Sequence, residues 1–141
     1  MRIANRFAIA VHILSLLGTF PDERATSEWM AGSIGVNPVI VRNIIGMLRR
    51  AELVTTQQGA AGAMLTRPLS KITFLDVYKA VEMQEELFSM HQNPNPNCPV
   101  GGNIQGTLET VFTRAQQEME AQLAKTTLAQ AVREMKVAAL R

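Results

Sequence analysis

The stretch from Asn37 to Arg50 restricts the fold more than any other part of the chain, because it reads as a helix with two unlike sides. Asn is a strong N-cap. Pro fits the first helical position, where its missing N–H would have no partner in any case. From there Val41, Ile44, Ile45 and Leu48 recur at i, i+3, i+4 and i+7, the spacing of a stripe pressed into a core. The opposite side carries Val39, Arg42, Asn43, Gly46, Arg49 and Arg50.

The flanks give this helix a context. Residues 5–19 read as a helix capped by Asn5 and ended by Gly18, with Phe7, Val11, Leu14 and Leu17 inward. After the turn Phe20-Pro21-Asp22, a short helix spans about Thr26 to Ser33, and Gly35 breaks it. Residues 53–56 and 63–66 read as two strands joined by a Gly-containing turn. Thr73 then caps a helix running to about Val81, with Asp76 in its first turn. Three short helices followed by a hairpin is the order of a winged helix-turn-helix.

In such a fold the third helix enters the major groove of duplex DNA and reads bases near its N-terminus. Asn37, Pro38, Val39, Arg42 and Asn43 stand at that end, with Arg49 further along. Arg42 can pair with guanine, Asn43 with adenine, and Val39 can touch a thymine methyl. Thr26 and Ser27 stand where the preceding helix would meet phosphate. At the wing tip, Gln58 supplies a neutral donor, and Gly59 and Gly62 allow a close backbone approach. The charge is spread to match. Residues 1–71 carry eight Lys/Arg against four Asp/Glu, and residues 72–141 carry six against eight. The basic half suits a polyanion.

The second half has a different task. Residues 84–103 hold Pro94, Pro96 and Pro99 and cannot be ordinary helix or strand. A long helix follows to about Leu123, with Ile104, Leu108, Val111, Phe112, Ala115, Met119 and Leu123 in one stripe. A winged helix of about 80 residues already has its own core, so this stripe is expected to pack against a second copy of the chain. A symmetric dimer places two recognition helices about one turn of DNA apart, matching a palindromic operator. A last helix starts near Thr127, with Leu128, Ala131, Val132 and Met135 on one face. The expected fold class is mainly α with a small β-hairpin. Its expected parts are a DNA-binding domain over 1–82, a sensor-type loop over 83–103 and dimerisation helices over 104–141.

Composition excludes several classes. Hydrophobic residues make up 47% of the chain, too many for a disordered protein. No apolar run approaches the roughly 20 residues that span a bilayer, and no secretory cleavage site is evident, so the expected location is the cytoplasm and no membrane partner is expected. There is no Ser-His-Asp order, phosphate loop or metal-spaced His pair, so an enzyme is not expected.

Several segments together resemble one known family. The run Asn5-Arg6-Phe7-Ala8-Ile9-Ala10-Val11-His12-Ile13-Leu14 is similar to the first helix of the Rrf2 family of bacterial winged-helix regulators, and Asn37-Pro38-Val39-Ile40-Val41-Arg42 to the start of its recognition helix. Gly59-Ala60-Ala61-Gly62-Ala63 resembles the family wing, with Ala63 in place of a final Gly. Leu65-Thr66-Arg67-Pro68 through Ile72-Thr73-Phe74-Leu75-Asp76-Val77-Tyr78-Lys79-Ala80-Val81 is the most specific match. Asn93-Pro94-Asn95-Pro96-Asn97-Cys98-Pro99-Val100-Gly101 resembles the YwnA-like branch. The resemblance implies a dimeric DNA-binding repressor, often one that senses iron–sulfur, redox or nitric-oxide signals. Cluster-binding members carry three cysteines before the long helix, whereas this chain has only Cys98 there. No iron–sulfur cofactor, and no metal site, is therefore expected.

Cys98 is the candidate sensor. If Pro99 begins the long helix, Cys98 is its N-cap, and the helix dipole would favour a thiolate open to oxidation or alkylation. The alternative is a reduced loop cysteine that only packs. His12 reads as a hydrogen-bonded structural histidine, His91 as a surface residue, and Glu82, Glu85 and Glu86 as a solvated run. Two other functions stay open: the same fold triggered by a small ligand under the long helix, and a protein-interaction module that does not bind DNA.

Overall fold

A computed structural model describes residues 5–21, 25–57, 62–82 and 88–135. Helix α1 spans Arg6–Thr19, α2 Ser27–Ile34 and α3 Pro38–Arg50. Strands β1, Val54–Thr55, and β2, Met64–Leu65, pair antiparallel with Val54 opposite Leu65 and Thr55 opposite Met64. A 3-10 turn at Leu69–Lys71 leads into α4, Phe74–Glu82. The long helix α5 covers Ile104–Ala124, and α6 covers Leu128–Glu134. The chain is a winged helix-turn-helix followed by a long C-terminal helix.

The helix ends follow local chemistry, with two exceptions. Thr26 Oγ1 accepts from the Trp29 N–H at 3.0 Å, and Asn37 Oδ1 accepts from the Val39 N–H at 2.8 Å. Gly35 closes α2 in the left-handed region, at φ 84°, a conformation that favours glycine. Thr73 and Asp76 exchange side-chain and backbone bonds at the start of α4, and Thr127 and Gln130 do the same for α6. Asn5 was expected to cap α1, but its backbone is already helical and its side chain makes no cap bond. Gly18 was expected to end α1, yet the helix continues to Thr19. A Cβ at Gly18 would collide with the Leu69 side chain, so packing, not termination, calls for the glycine.

The core is built where these elements meet. Val41, Ile44 and Leu48 of α3 are buried, as their spacing requires, and they share one cluster with Ile13 and Leu14 of α1, Met30 of α2 and Val77 of α4. Leu53 and Val54 bring the base of the hairpin into the same cluster. His12 Nε2 lies 3.1 Å from Ser33 Oγ, a link from α1 to α2 that fits a structural histidine.

Two long-range ties complete the body. The first joins the approaches to α4 and α6: Leu128 N–H donates to the Ile72 carbonyl at 2.8 Å, and Phe74 N–H to the Thr126 carbonyl at 3.0 Å. Leu128 is thereby buried in the winged-helix core, so α6 packs on α1 and the 3-10 turn. The second joins the start of α1 to the end of α4. Arg6 Nε and Nη2 donate to the two Glu82 oxygens at 3.0 Å each, and Glu82 is only 3% exposed. Glu82 is therefore not part of a solvated run. A buried carboxylate needs a matched cation, and a bidentate guanidinium supplies one. Glu85 and Glu86 lie outside the described residues.

Two substitutions test these ties by urea unfolding. Arg6→Ala leaves the Glu82 carboxylate buried without this partner and is expected to cost about 3 kcal/mol. Leu128→Ala is expected to cost about 2–5 kcal/mol, as for a core leucine. A loss under about 1 kcal/mol for Leu128→Ala would mean that α6 is not part of the core.

Candidate nucleic-acid interface

The burial of one side of α3 leaves its other side to solvent. Val39 is 51% exposed, and Asn37, Arg42, Asn43, Arg49 and Arg50 are all exposed. Pro38 is half-buried at the first turn. Helices α2 and α3 meet at 108°, within the range of helix-turn-helix pairs. This angle brings the first turn of α2 beside the N-terminal half of α3. Thr26 and Ser27 are half-buried there. The Thr26 oxygen is used as a cap acceptor, which leaves its O–H free to donate. The Asn37 carbonyl oxygen is likewise committed to the cap, so its side chain sets the start of the helix first.

Two arginines are oriented by neighbours that the sequence did not single out. Arg42 Nη1 lies 3.2 Å from Glu28 Oε2, the side chains being 53% and 71% exposed. Glu28 is fourteen residues away on α2, and only the turn between the helices makes the two meet. An exposed pair of this kind is worth about 1 kcal/mol or less, so Arg42 can leave Glu28 for an approaching acceptor at little cost. Arg49 Nη1 donates to Thr56 Oγ1 at 3.3 Å, tying the end of α3 to the hairpin.

At the wing, Gly62 adopts φ 92°, and a Cβ there would meet the Ala25 carbonyl oxygen at 3.0 Å. Its close approach is thus to the segment before α2. Gln58 and Gly59 lie outside the described residues. Met64 on β2 is exposed.

Cys98 does not cap the long helix, because α5 begins at Ile104 and Asn103 takes the cap position. A tighter local turn holds it instead. Asn97 N–H donates to Asn95 Oδ1 at 3.0 Å, and Gly102 N–H to the Cys98 carbonyl at 2.8 Å. A Cβ at Gly101 would collide with the Asn95 carbonyl, so glycine is required for the chain to fold this closely. The exposed thiol receives the backbone N–H groups of Gly101 and Val100, which hold its pKa below that of an ordinary cysteine. The expected effect survives with a different cause: two nearby amides in place of a helix dipole. His91 is exposed on the same segment.

The long helix presents its apolar stripe differently. Ile104, Leu108, Phe112, Ala115, Met119 and Leu123 are half-buried, Val111 is exposed, and no residue of α5 is buried. Phe112 stacks on Phe88 at 4.9 Å between centroids. No single helix among the described residues is long and apolar enough to cross a membrane.

Comparison with known proteins places this arrangement. Residues 3–134 match the Rrf2 family, described as iron-dependent transcriptional regulators. The chain is 46% identical to YwnA of Bacillus subtilis (strain 168), described as an HTH-type transcriptional regulator, over 89% of this chain and 93% of that one. The crystal structure of a DNA-binding protein, 39% identical, superimposes with a TM-score of 0.74 over 89% of this chain and 97% of that one. The structure of a transcriptional regulator from Lactobacillus plantarum, 25% identical, gives 0.80 over 94% and 90%.

The iron in the family description was tested against the donors on this chain. Cys98 is the single cysteine, and among the described residues no three His, Cys, Asp or Glu side chains gather. A cluster held by thiolates commonly takes four. This donor set does not fit one.

Two measurements follow from this geometry. Glu28→Gln removes a carboxylate beside Arg42 and is expected to raise affinity for any duplex about fivefold at low salt, with stability unchanged within about 0.5 kcal/mol. Cys98 is expected to react with iodoacetamide at a lower pH midpoint than the same cysteine in a free peptide of residues 95–102, because the folded amides favour the thiolate. Equal midpoints would show that the turn has no influence on the thiol.

Proposed function

This chain belongs to the Rrf2 family of transcriptional regulators, and from that membership we propose that it binds palindromic duplex DNA as a cytoplasmic homodimer and acts as a repressor. It is not an enzyme. The observation that carries the proposal is the solvent-open side of α3, with Asn43 exposed and Arg42 beside Glu28 in the first turn of α2. Arg42 would leave Glu28 for guanine O6 and N7, and Asn43 would pair with adenine. Val39 would touch a thymine methyl. Thr26 and Ser27 would hold a phosphate, Arg49 would contact the backbone near the hairpin, and the wing residues 58–62 would follow it.

The long helix supports the dimer. Among the described residues its stripe is no more than half-buried, and packing against a second copy would remove the remaining apolar surface from water at roughly 25 cal/mol per Å². Residues 1–82 would read DNA, 83–103 would carry the signal and 104–141 would pair the subunits, with α6 bracing each subunit's own core. Cys98 would be the trigger. Oxidation or alkylation of its exposed thiolate would disturb the tight turn ahead of α5, change the spacing of the two recognition helices and release DNA. No iron–sulfur cluster enters this scheme.

The test is fluorescence anisotropy with duplex DNA from upstream of the chain's own gene, across a range of salt. Affinity is expected to fall steeply with salt, as phosphate contacts require. Arg42→Ala is expected to weaken binding by about 1–3 kcal/mol, roughly 5–150-fold, with discrimination lost at one base pair. Phe112→Glu is expected to give a monomer in light scattering and to abolish tight binding. Peroxide is expected to release DNA from the parent protein and not from Cys98→Ser. A folded protein indifferent to duplex DNA would leave a protein-interaction module as the better account, and a Cys98→Ser protein that still releases DNA would remove the thiol from the mechanism.

A further inference from the structure

A second feature lies at the other end of α3. Between its C-terminal turn and α4 is a cleft of about 820 Å³. Four cationic side chains line it, from Arg6, Arg50, Arg67 and Lys79, against one carboxylate, Asp76. That carboxylate is already committed: its Oδ2 accepts from the Thr73 N–H at 2.9 Å and lies 3.2 Å from Arg67. Arg6 is engaged by Glu82. Among the described residues, no carboxylate pairs with Arg50 or Lys79. The inner surface of the cleft includes the half-buried apolar side chains of Met47 and Ala80, beside the buried Leu53 and Val81. A surplus of positive charge above an apolar floor suits a ligand with an anionic head and an apolar body.

We propose that this cleft is an effector site for a small organic anion, a carboxylate carrying an apolar body. The head would sit between Arg50 and Lys79, and the body would cover Met47 and Ala80, which are half-buried. Inorganic phosphate is a poorer match because it leaves the apolar floor uncovered. The site is placed to influence the regulator. One wall belongs to α3, whose other end carries Arg42 and Asn43, and the opposite wall to α4, which packs on α5. A ligand bridging the two walls fixes the tilt of α3 relative to the long helix. This effector role rests on the DNA-binding reading, whereas binding of the anion does not.

The test uses the full chain and three probes: benzoate, benzyl alcohol and inorganic phosphate. In amide NMR spectra of the DNA-free protein, benzoate is expected to shift the signals of Met47, Ala51, Lys79 and Ala80. Benzyl alcohol and phosphate are expected to bind at least fivefold more weakly. Lys79→Gln is expected to weaken benzoate at least threefold with no change in melting temperature or in affinity for the operator duplex. Saturating benzoate is expected to change the operator Kd of the parent protein at least threefold. Equal binding of benzoate and benzyl alcohol, or an unaltered benzoate affinity in Lys79→Gln, would overturn the site. An unaltered operator Kd with benzoate bound would overturn its effector role. If Lys79→Gln instead weakens all duplexes and lowers the salt dependence by about one phosphate contact, the cleft seats DNA and the proposal fails. A parent protein that binds no duplex counts against the regulator reading and is seen before benzoate is added.

Discussion

Val41, Ile44 and Leu48 are buried because α1 lies across them, and the remaining features of the molecule are arranged around that contact. A helix pinned along one stripe cannot roll, so the direction its opposite side faces is set by the core. The exposed positions of Val39, Arg42 and Asn43 are therefore a consequence of packing. Met30 of α2 enters the same cluster, and the turn at Gly35 sets α2 and α3 at 108°. Burial of these aliphatic side chains, at about 1.5–3 kcal/mol each, gives the outward face rigidity that surface residues could not supply for themselves.

The N-terminal body is closed by residues distant in sequence. The Arg6–Glu82 pair ties the first helix to the end of the fourth, and the backbone bonds at Ile72 and Leu128 tie α6 to the start of α4. The long helix packs on α4 and Phe88, but among the described residues none of its side chains is fully buried. One part of the protein is closed by its own contacts, and among the described residues the other keeps its apolar stripe only half-buried. That asymmetry is what a regulator needs if subunit pairing is to set the distance between two reading heads. The segment with Cys98 precedes α5, and the cleft beneath Arg50 and Lys79 lies against α4, which packs on α5.

Short-range patterns made most of the fold legible. Helix α3 was readable because its cap, its Pro and its stripe all lie within fourteen residues and agree with one another. The hairpin was readable from its turn, although its strands are two residues each where four were expected. The errors came where a residue's local preference competes with a distant contact. Gly18 looks like a helix end but makes room for Leu69, and Glu82 looks like part of a charged surface run but is buried against Arg6. The cap at Cys98 depends on a helix beginning at Pro99, and Gly101 instead lets the chain fold back on Asn95, so that the helix starts at Ile104, where its apolar stripe begins.

The sequence by itself determined the order of elements, the two-sidedness of α3 and α5 and the family, because periodicity and capping act over a few residues and are written into the chain. The tertiary structure alone decided which charges meet. Arg42 with Glu28, Arg6 with Glu82 and the four cations around one cleft are separated by up to 76 residues, and no local pattern records them. Electrostatic contact depends on distance through space, and only packing of the core brings those distances down to a few ångströms.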